Sequence, residues 1–99
     1  DITWADLTLK LSSRTLHCGT KSVSLGFKEF EVLKILLANP KGIVSKEELI
    51  VKVWGSDSNA EDNNVEAYIS FLRKKLFYLG SHAGIATVRK VGYHLEENA

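Results

Sequence analysis

Residues 63–76 read NNVEAYISFLRKKL, and the two sides of this stretch decide the fold. At about 100° per residue, Val65, Ile69, Leu72, Leu76 and then Leu79 fall on one side of a helix. That side is a core seam. Opposite it lie Asn63, Ala67, Ser70, Phe71 and Lys74, with Arg73 and Lys75 on the flanks. The outward side thus combines small residues, one flat aromatic ring and cations. Ala67 and Ser70 are small enough for the helix to approach a partner closely. Flanking cations suit phosphates and small residues suit base edges. The helix alone fits a second reading equally well, in which Phe71 covers a seam and the lysines are solvated.

The residues on either side of this helix shift that balance. Gly80 and Gly84 bracket a short connection, and IATV and YHL then read as strands flanking the basic turn Arg89, Lys90, Val91, Gly92. Upstream, Phe30, Leu33 and Leu37 recur at helical spacing, widened by Val32 and Leu36. That first helix should end at Asn39, because Pro40 disfavours a helical residue before it. SKEE at 45–48 is a capping box, in which Ser45 caps the first turn and Glu48 reaches back to the Ser45 amide. The helix it opens carries Leu49, Ile50, Val53 and Trp54 on one side and stops at Gly55. The polar stretch GSDSNAED follows as a loop. Asn63 or Asn64 can cap the next helix, whose positive N-terminal end suits Glu66.

The N-terminal part alternates, with Leu7, Leu9 and Leu11 at period two, and is broken by Ser-Ser and Cys-Gly-Thr-Lys. It reads as short antiparallel strands with tight turns. Strands, three helices and a terminal hairpin make an α+β fold, since no strand–helix alternation would build a parallel sheet. A helix–loop–helix followed by a basic hairpin is a winged helix-turn-helix, and the hairpin gives a second contact point for DNA. The expected organisation is a single domain over 1–99: an N-terminal sheet over 1–25, a three-helix core over 27–79 and a wing hairpin over 85–95.

Bulk properties agree with a small folded unit. The chain has 99 residues, 44% of them hydrophobic and 25% charged, with a net charge of +1. Its charge is sorted along the chain. Positions 67–95 hold no Asp or Glu but carry Arg73, Lys74, Lys75, Arg89 and Lys90, whereas Asp57, Glu61 and Asp62 form an acidic patch. The lone Cys18 excludes an internal disulfide and fits a reducing compartment. It reads as a small, buried or half-buried apolar residue. No apolar run approaches a membrane span, and no signal-peptide pattern is present. The strand-like start fits a piece of a longer protein. His17, His82 and His94 are scattered, and no phosphate loop, zinc spacing or nucleophile elbow appears, so neither catalysis nor a metal or cofactor is expected. No stacking sheet or clamp loop for RNA is evident.

LGFKEFEVLKILLANPKGIVSKEELIVKVWG, NNVEAYISFLRKKL and IATVRKVGYHL together cover nearly all of 25–95. In order and spacing they closely resemble the C-terminal effector domain of OmpR/PhoB-type bacterial response regulators. The strand-rich start also suits that family, which has an antiparallel four-stranded sheet before its first helix. The resemblance implies a cytoplasmic transcription factor of a two-component phosphorelay. Its third helix (63–79) would enter the major groove and its wing (87–92) the adjacent minor groove. It implies sequence-specific binding of double-stranded DNA, with two domains in tandem on repeat half-sites. It also implies an upstream receiver domain, a sensor kinase and RNA polymerase as partners.

Carried over residue by residue, the DNA-facing helix positions are Asn63, Asn64, Ala67, Tyr68, Ser70, Phe71 and Arg73, with Lys74 and Lys75 added from charge. The wing positions are Thr87 and Arg89, with Lys90 adjacent. The polymerase-contacting loop would be 55–62, through Ser56, Asp57, Ser58, Asn59, Glu61 and Asp62. Trp54 matches a family tryptophan near the DNA backbone, although its spacing reads as mostly core. Arg73 has an alternative as well, a salt bridge to the acidic loop or Glu66. The chain departs from the family at Gly26, where a Thr cap is usual, at Tyr68 and Phe71, where some members carry His and Arg, and at Lys90, where glycine is frequent. Phe71 can pack on a thymine methyl group. The competing function is a protein-interaction module anchored by Tyr68 and Phe71.

Overall fold

A computed structural model describes residues 1–55 and 62–98, the side chains of Asp62 and Asn63 excepted. Four short strands open the chain: β1 (Ile2–Trp4), β2 (Leu7–Lys10), β3 (Thr15–Cys18) and β4 (Lys21–Ser24). They form an antiparallel sheet in sequence order. Alternation sends Leu7, Leu9 and Leu16 inward, with Leu9 paired to Leu16 across the ladder. Leu11 does not share that face. β2 ends at Lys10, the chain turns, and Leu11 is left exposed.

Helix α1 (Phe27–Ala38) begins after Gly26 and ends at Asn39, just before Pro40. Strand β5 (Val44–Ser45) leads into α2 (Lys46–Leu49), which widens into a π-helical turn over Ile50–Trp54. Ser45 caps it as expected, its hydroxyl accepting from the Glu48 amide at 3.0 Å. The return half of the box is not made. The Glu48 carboxylate takes Lys52 at 2.7 Å instead, while the Ser45 backbone pairs with Gly92. The widened turn closes at Gly55, whose amide donates to both Ile50 and Val51 carbonyls.

Helix α3 (Asp62–Leu79) is the long element, and β6 (Ala83–Val88) and β7 (Gly92–Glu97) follow as the hairpin. Gly80, at φ 67°, ends α3. Its amide donates to the Phe77 carbonyl and that of Ser81 to the Leu76 carbonyl, the Schellman pattern. A second sheet has the order β5-β7-β6 and ties the hairpin to the start of α2. The core joins Leu7, Leu9 and Leu16 to α1, Leu49, α3, Ile85 and Leu95. All of the seam residues Val65, Ile69, Leu72, Leu76 and Leu79 are buried. Each such side chain gains about 1.5–3 kcal/mol on burial. That sum fixes which side of α3 faces in, even though it leaves Phe71 exposed.

Candidate nucleic-acid interface

The outward side of α3 is open from Asn64 to Tyr78. Ala67 and Tyr68 are half-buried, and Asn64, Ser70, Phe71 and Lys74 are exposed. Phe71 is 44% exposed yet held in place by a short aromatic series. Its ring stands edge-on to Tyr68 at 5.4 Å, and Tyr68 stands edge-on to Trp54 at 5.5 Å. Trp54 packs against the core on one side and carries Lys28 Nζ 5.2 Å from its ring centre on another. Lys28 also donates to the Val53 carbonyl. The widened end of α2 therefore supports an aromatic ring on α3 rather than an isolated side chain.

The exposed face extends beyond Lys74. Phe77 is 88% exposed, and Tyr78 beside it is exposed as well. The signal was present: Phe77 lies seven residues after Ser70, within about 20° of it on the helix. Lys21 covers the Tyr78 ring at 5.3 Å, a contact from the distant sheet that no local spacing reveals.

The cations of the run 73–75 have three different fates. Lys75 turns towards the N-terminal sheet. Its Nζ lies 2.6 Å from Glu29 Oε1 and 2.9 Å from the Ser24 carbonyl. The same Glu29 oxygen accepts from the Gly26 amide at 2.7 Å. Arg73 is spread over β6, donating to the Ile85 carbonyl and the Thr87 hydroxyl. It makes no ion pair with Glu66, which takes Lys46 at 3.0 Å. Lys74 is exposed and has no ion pair or hydrogen bond among the described residues.

Thr87, Arg89 and Lys90 are all exposed on the wing. The turn 88–91 is closed by the Val91 amide donating to the Val88 carbonyl at 2.9 Å. Its third residue, Lys90, has φ 65°. A positive φ at that place is what a type II turn requires and what glycine supplies without strain. The chain instead places a cation there. Gly92 admits no side chain: a methyl group would lie 2.7 Å from the Ser45 Cα and overlap the Val44 carbonyl. That close approach seats the wing against β5, so that Lys90 and Val91 share a pocket with Ser45, Lys46 and Glu47 at the start of α2.

The base of the wing is tied to the first sheet. Asp6 accepts from the Ser81 hydroxyl at 2.6 Å and from the His82 amide at 2.8 Å. Burial opposes its charge, but these bonds and one from the Cys18 thiol hold its carboxyl below the usual range. Burial, with Asp6 nearby, pushes the Cys18 thiol up. The expected polymerase contacts Ser56, Asp57, Ser58, Asn59 and Glu61 lie outside the described residues. Asp62 and Asn63 are placed only as the first two residues of α3. His17, His82 and His94 lie on β3, the β6 approach and β7, and no cluster of metal-ligating side chains occurs among the described residues.

This architecture, with one exposed helix face beside a hairpin on a second sheet, is a winged helix. Residues 19–95 match the family model "Transcriptional regulatory protein, C terminal". The chain belongs to that family, the DNA-binding effector domains of OmpR/PhoB-type response regulators, which are not enzymes. It is 42% identical over 92 residues to the transcriptional regulatory protein DltR of Streptococcus agalactiae, covering 93% of this chain and 41% of DltR. The chain thus spans about two-fifths of the length of such relatives. The C-terminal domain of the nisin resistance regulator NsrR superimposes with a TM-score of 0.80 at 38% identity, over 96% of this chain and 95% of that one. The Klebsiella pneumoniae RstA DNA-binding domain, solved in complex with the RstA box, gives 0.77 at 30% identity, over 94% and 93%.

Proposed function

We propose that α3 reads a DNA major groove through Asn63, Asn64, Ala67, Tyr68, Ser70 and Phe71. Lys74 meets the backbone, and Thr87, Arg89 and Lys90 meet the adjacent minor groove and its phosphates. The observation that carries this reading is the pairing of a small-residue helix face with wing cations beside it that have no ion pair or hydrogen bond among the described residues. The RstA domain on its box supports it. Arg73 and Lys75 carry charge towards the same surface by sequence. In the structure both are committed to the protein's own oxygens, so the reading gives them no groove contact.

Phe71 supplies the specificity element. Held edge-on by Tyr68, its ring suits the methyl group of a thymine. Selecting this chain on a pool of random duplexes should enrich a short half-site. With Lys74, Arg89 and Lys90 on phosphates, log K should fall with log salt at a slope of about −3. Phe71→Ala should cost about fivefold in affinity, concentrated at one T-containing base pair. Absence of enrichment, with binding indifferent to salt, would remove the reading and return Tyr68 and Phe71 to a protein interface.

Within a longer protein, the chain would act in the bacterial cytoplasm as the output of a receiver domain and its sensor kinase. Two copies would lie in tandem on repeated half-sites, and the segment 55–62 would meet RNA polymerase.

A further inference from the structure

The Arg73 guanidinium bridges the two halves of the interface. Nε and Nη2 both donate to the Ile85 carbonyl, at 3.0 and 2.6 Å, and Nη2 also donates to Thr87 Oγ1 at 2.9 Å. Both acceptors lie on β6, the outer strand of its sheet. An outer strand has backbone groups with no ladder partner, and here a side chain from α3 takes one of them. The anchor also lies close to the tip, since Thr87 precedes Arg89 by two residues. Two-stranded ribbons are marginal by themselves; near the turn β5 braces only the β7 side, at Tyr93 and Gly92, opposite Thr87 and Val88, and leaves the outer edge of β6 to Arg73.

We propose that Arg73 is a positioning residue. It fixes the distance and tilt of the wing against α3, so that Arg89 and Lys90 meet the duplex in register with Ser70 and Phe71. The forked geometry is what the task needs, because a planar guanidinium can hold a carbonyl and a hydroxyl at once. Lysine keeps the charge but not the fork. The consequence for binding rests on the DNA reading above, whereas the ordering of the wing does not.

The first test therefore uses the free chain. Amide hydrogen exchange is compared between the parent and Arg73→Lys. Amides from 86 to 93 should exchange at least about tenfold faster, while those of Leu72 and Leu76 in the α3 core stay unchanged. An unaltered wing, or a rise shared equally by Leu72 and Leu76, overturns the proposal whether or not the chain binds DNA.

The second test is a double-mutant cycle on a duplex enriched from the random pool. Arg89→Ala should weaken the parent by about fivefold but the Arg73→Lys chain by less than about twofold, because a loosened wing has already lost that contact. A direct phosphate contact by Arg73 predicts the opposite: lysine substitutes well and the losses multiply. That outcome overturns the proposal while leaving DNA binding intact. Failure to enrich any duplex removes the functional reading, and the exchange measurement then decides the fate of Arg73.

Discussion

Two basic stretches of the chain look equivalent in one dimension and are not equivalent in three. In the run Arg73, Lys74 and Lys75, two of the three cations are held by the protein's own oxygens. In the turn that carries Arg89 and Lys90, neither has an ion pair or hydrogen bond among the described residues. Helical rotation makes the difference. Successive residues on α3 point about 100° apart, so one run of charge is divided among β6, solvent and the first sheet. The hairpin turn lies beside Ser45, Lys46 and Glu47, yet neither of its cations is bound by an oxygen there. Charge available to a polyanion is thus set by the geometry of each residue and not by the length of the basic run.

The contrast is broken most forcefully at Lys75. Removing it strips a buried carboxylate, Glu29 at 7% exposure, of its only counter-charge among the described residues. Lys75→Ala should cost about 2 kcal/mol, less than a fully buried pair because Lys75 itself remains partly solvated. That corresponds to a fall in Tm of about 10 °C for a domain of this size. Adding Glu29→Gln should restore most of it. The salt slope of DNA binding should not change. Lys74→Ala should do the reverse, leaving Tm within about 2 °C and reducing the slope by about 0.9. Thermal melts and salt titrations of the two variants check the pair. Equal slope changes for both lysines would collapse the comparison.

Lys90 sharpens it in the opposite direction, because there stability and binding should move apart. The residue holds φ 65°, a conformation that costs a side chain about 1 kcal/mol relative to glycine. Lys90→Gly should therefore raise Tm by about 5 °C while reducing the salt slope by about 0.9. A melt that does not rise would mean the turn is not strained by its lysine. A slope that does not change would mean the cation faces away from phosphate.

Much of this was legible in sequence. The seam Val65, Ile69, Leu72, Leu76 and Leu79, the Asn39 stop, the Ser45 cap and the hairpin around Arg89 follow from local periodicity and turn chemistry, and the structure has them all. What was not legible depends on contacts between distant segments. Nothing near Lys75 in the chain announces Glu29, 46 residues away. Nothing near Arg73 announces a free edge carbonyl on β6. By sequence Arg73 reads as a DNA contact, with a salt bridge to the acidic loop or Glu66 as the alternative, and Glu66 is taken by Lys46. Leu11 was misplaced because an alternating pattern does not say where its strand ends. Phe77 differs, since its angle on the helix, within about 20° of Ser70, already places it on the outward face. The site was therefore readable as a face, and not as a set of available hydrogen-bond donors.

The smallest expected effect lies at the wing's base. Asp6 receives the Ser81 hydroxyl and the His82 amide just ahead of β6, so it holds the root of the hairpin as Arg73 holds its side. Its carboxyl titrates below the ordinary 3.8 in the folded chain. A depressed acid pKa stabilises the fold above the unfolded value, and that stability is lost as pH falls through the folded one. The contribution is thus complete at neutral pH and disappears only below about pH 4. Asp6→Asn should lower stability at pH 7 by less than about 1 kcal/mol, since the amide oxygen can still accept one of the bonds. It should also flatten the acid limb of the stability curve below that pH. Chemical denaturation of both chains from pH 2 to 7 reads this directly. If the two curves run parallel throughout, the Asp6 charge is not what holds the root, and the wing's position would depend on its core packing, Arg73 and the Gly92 contact.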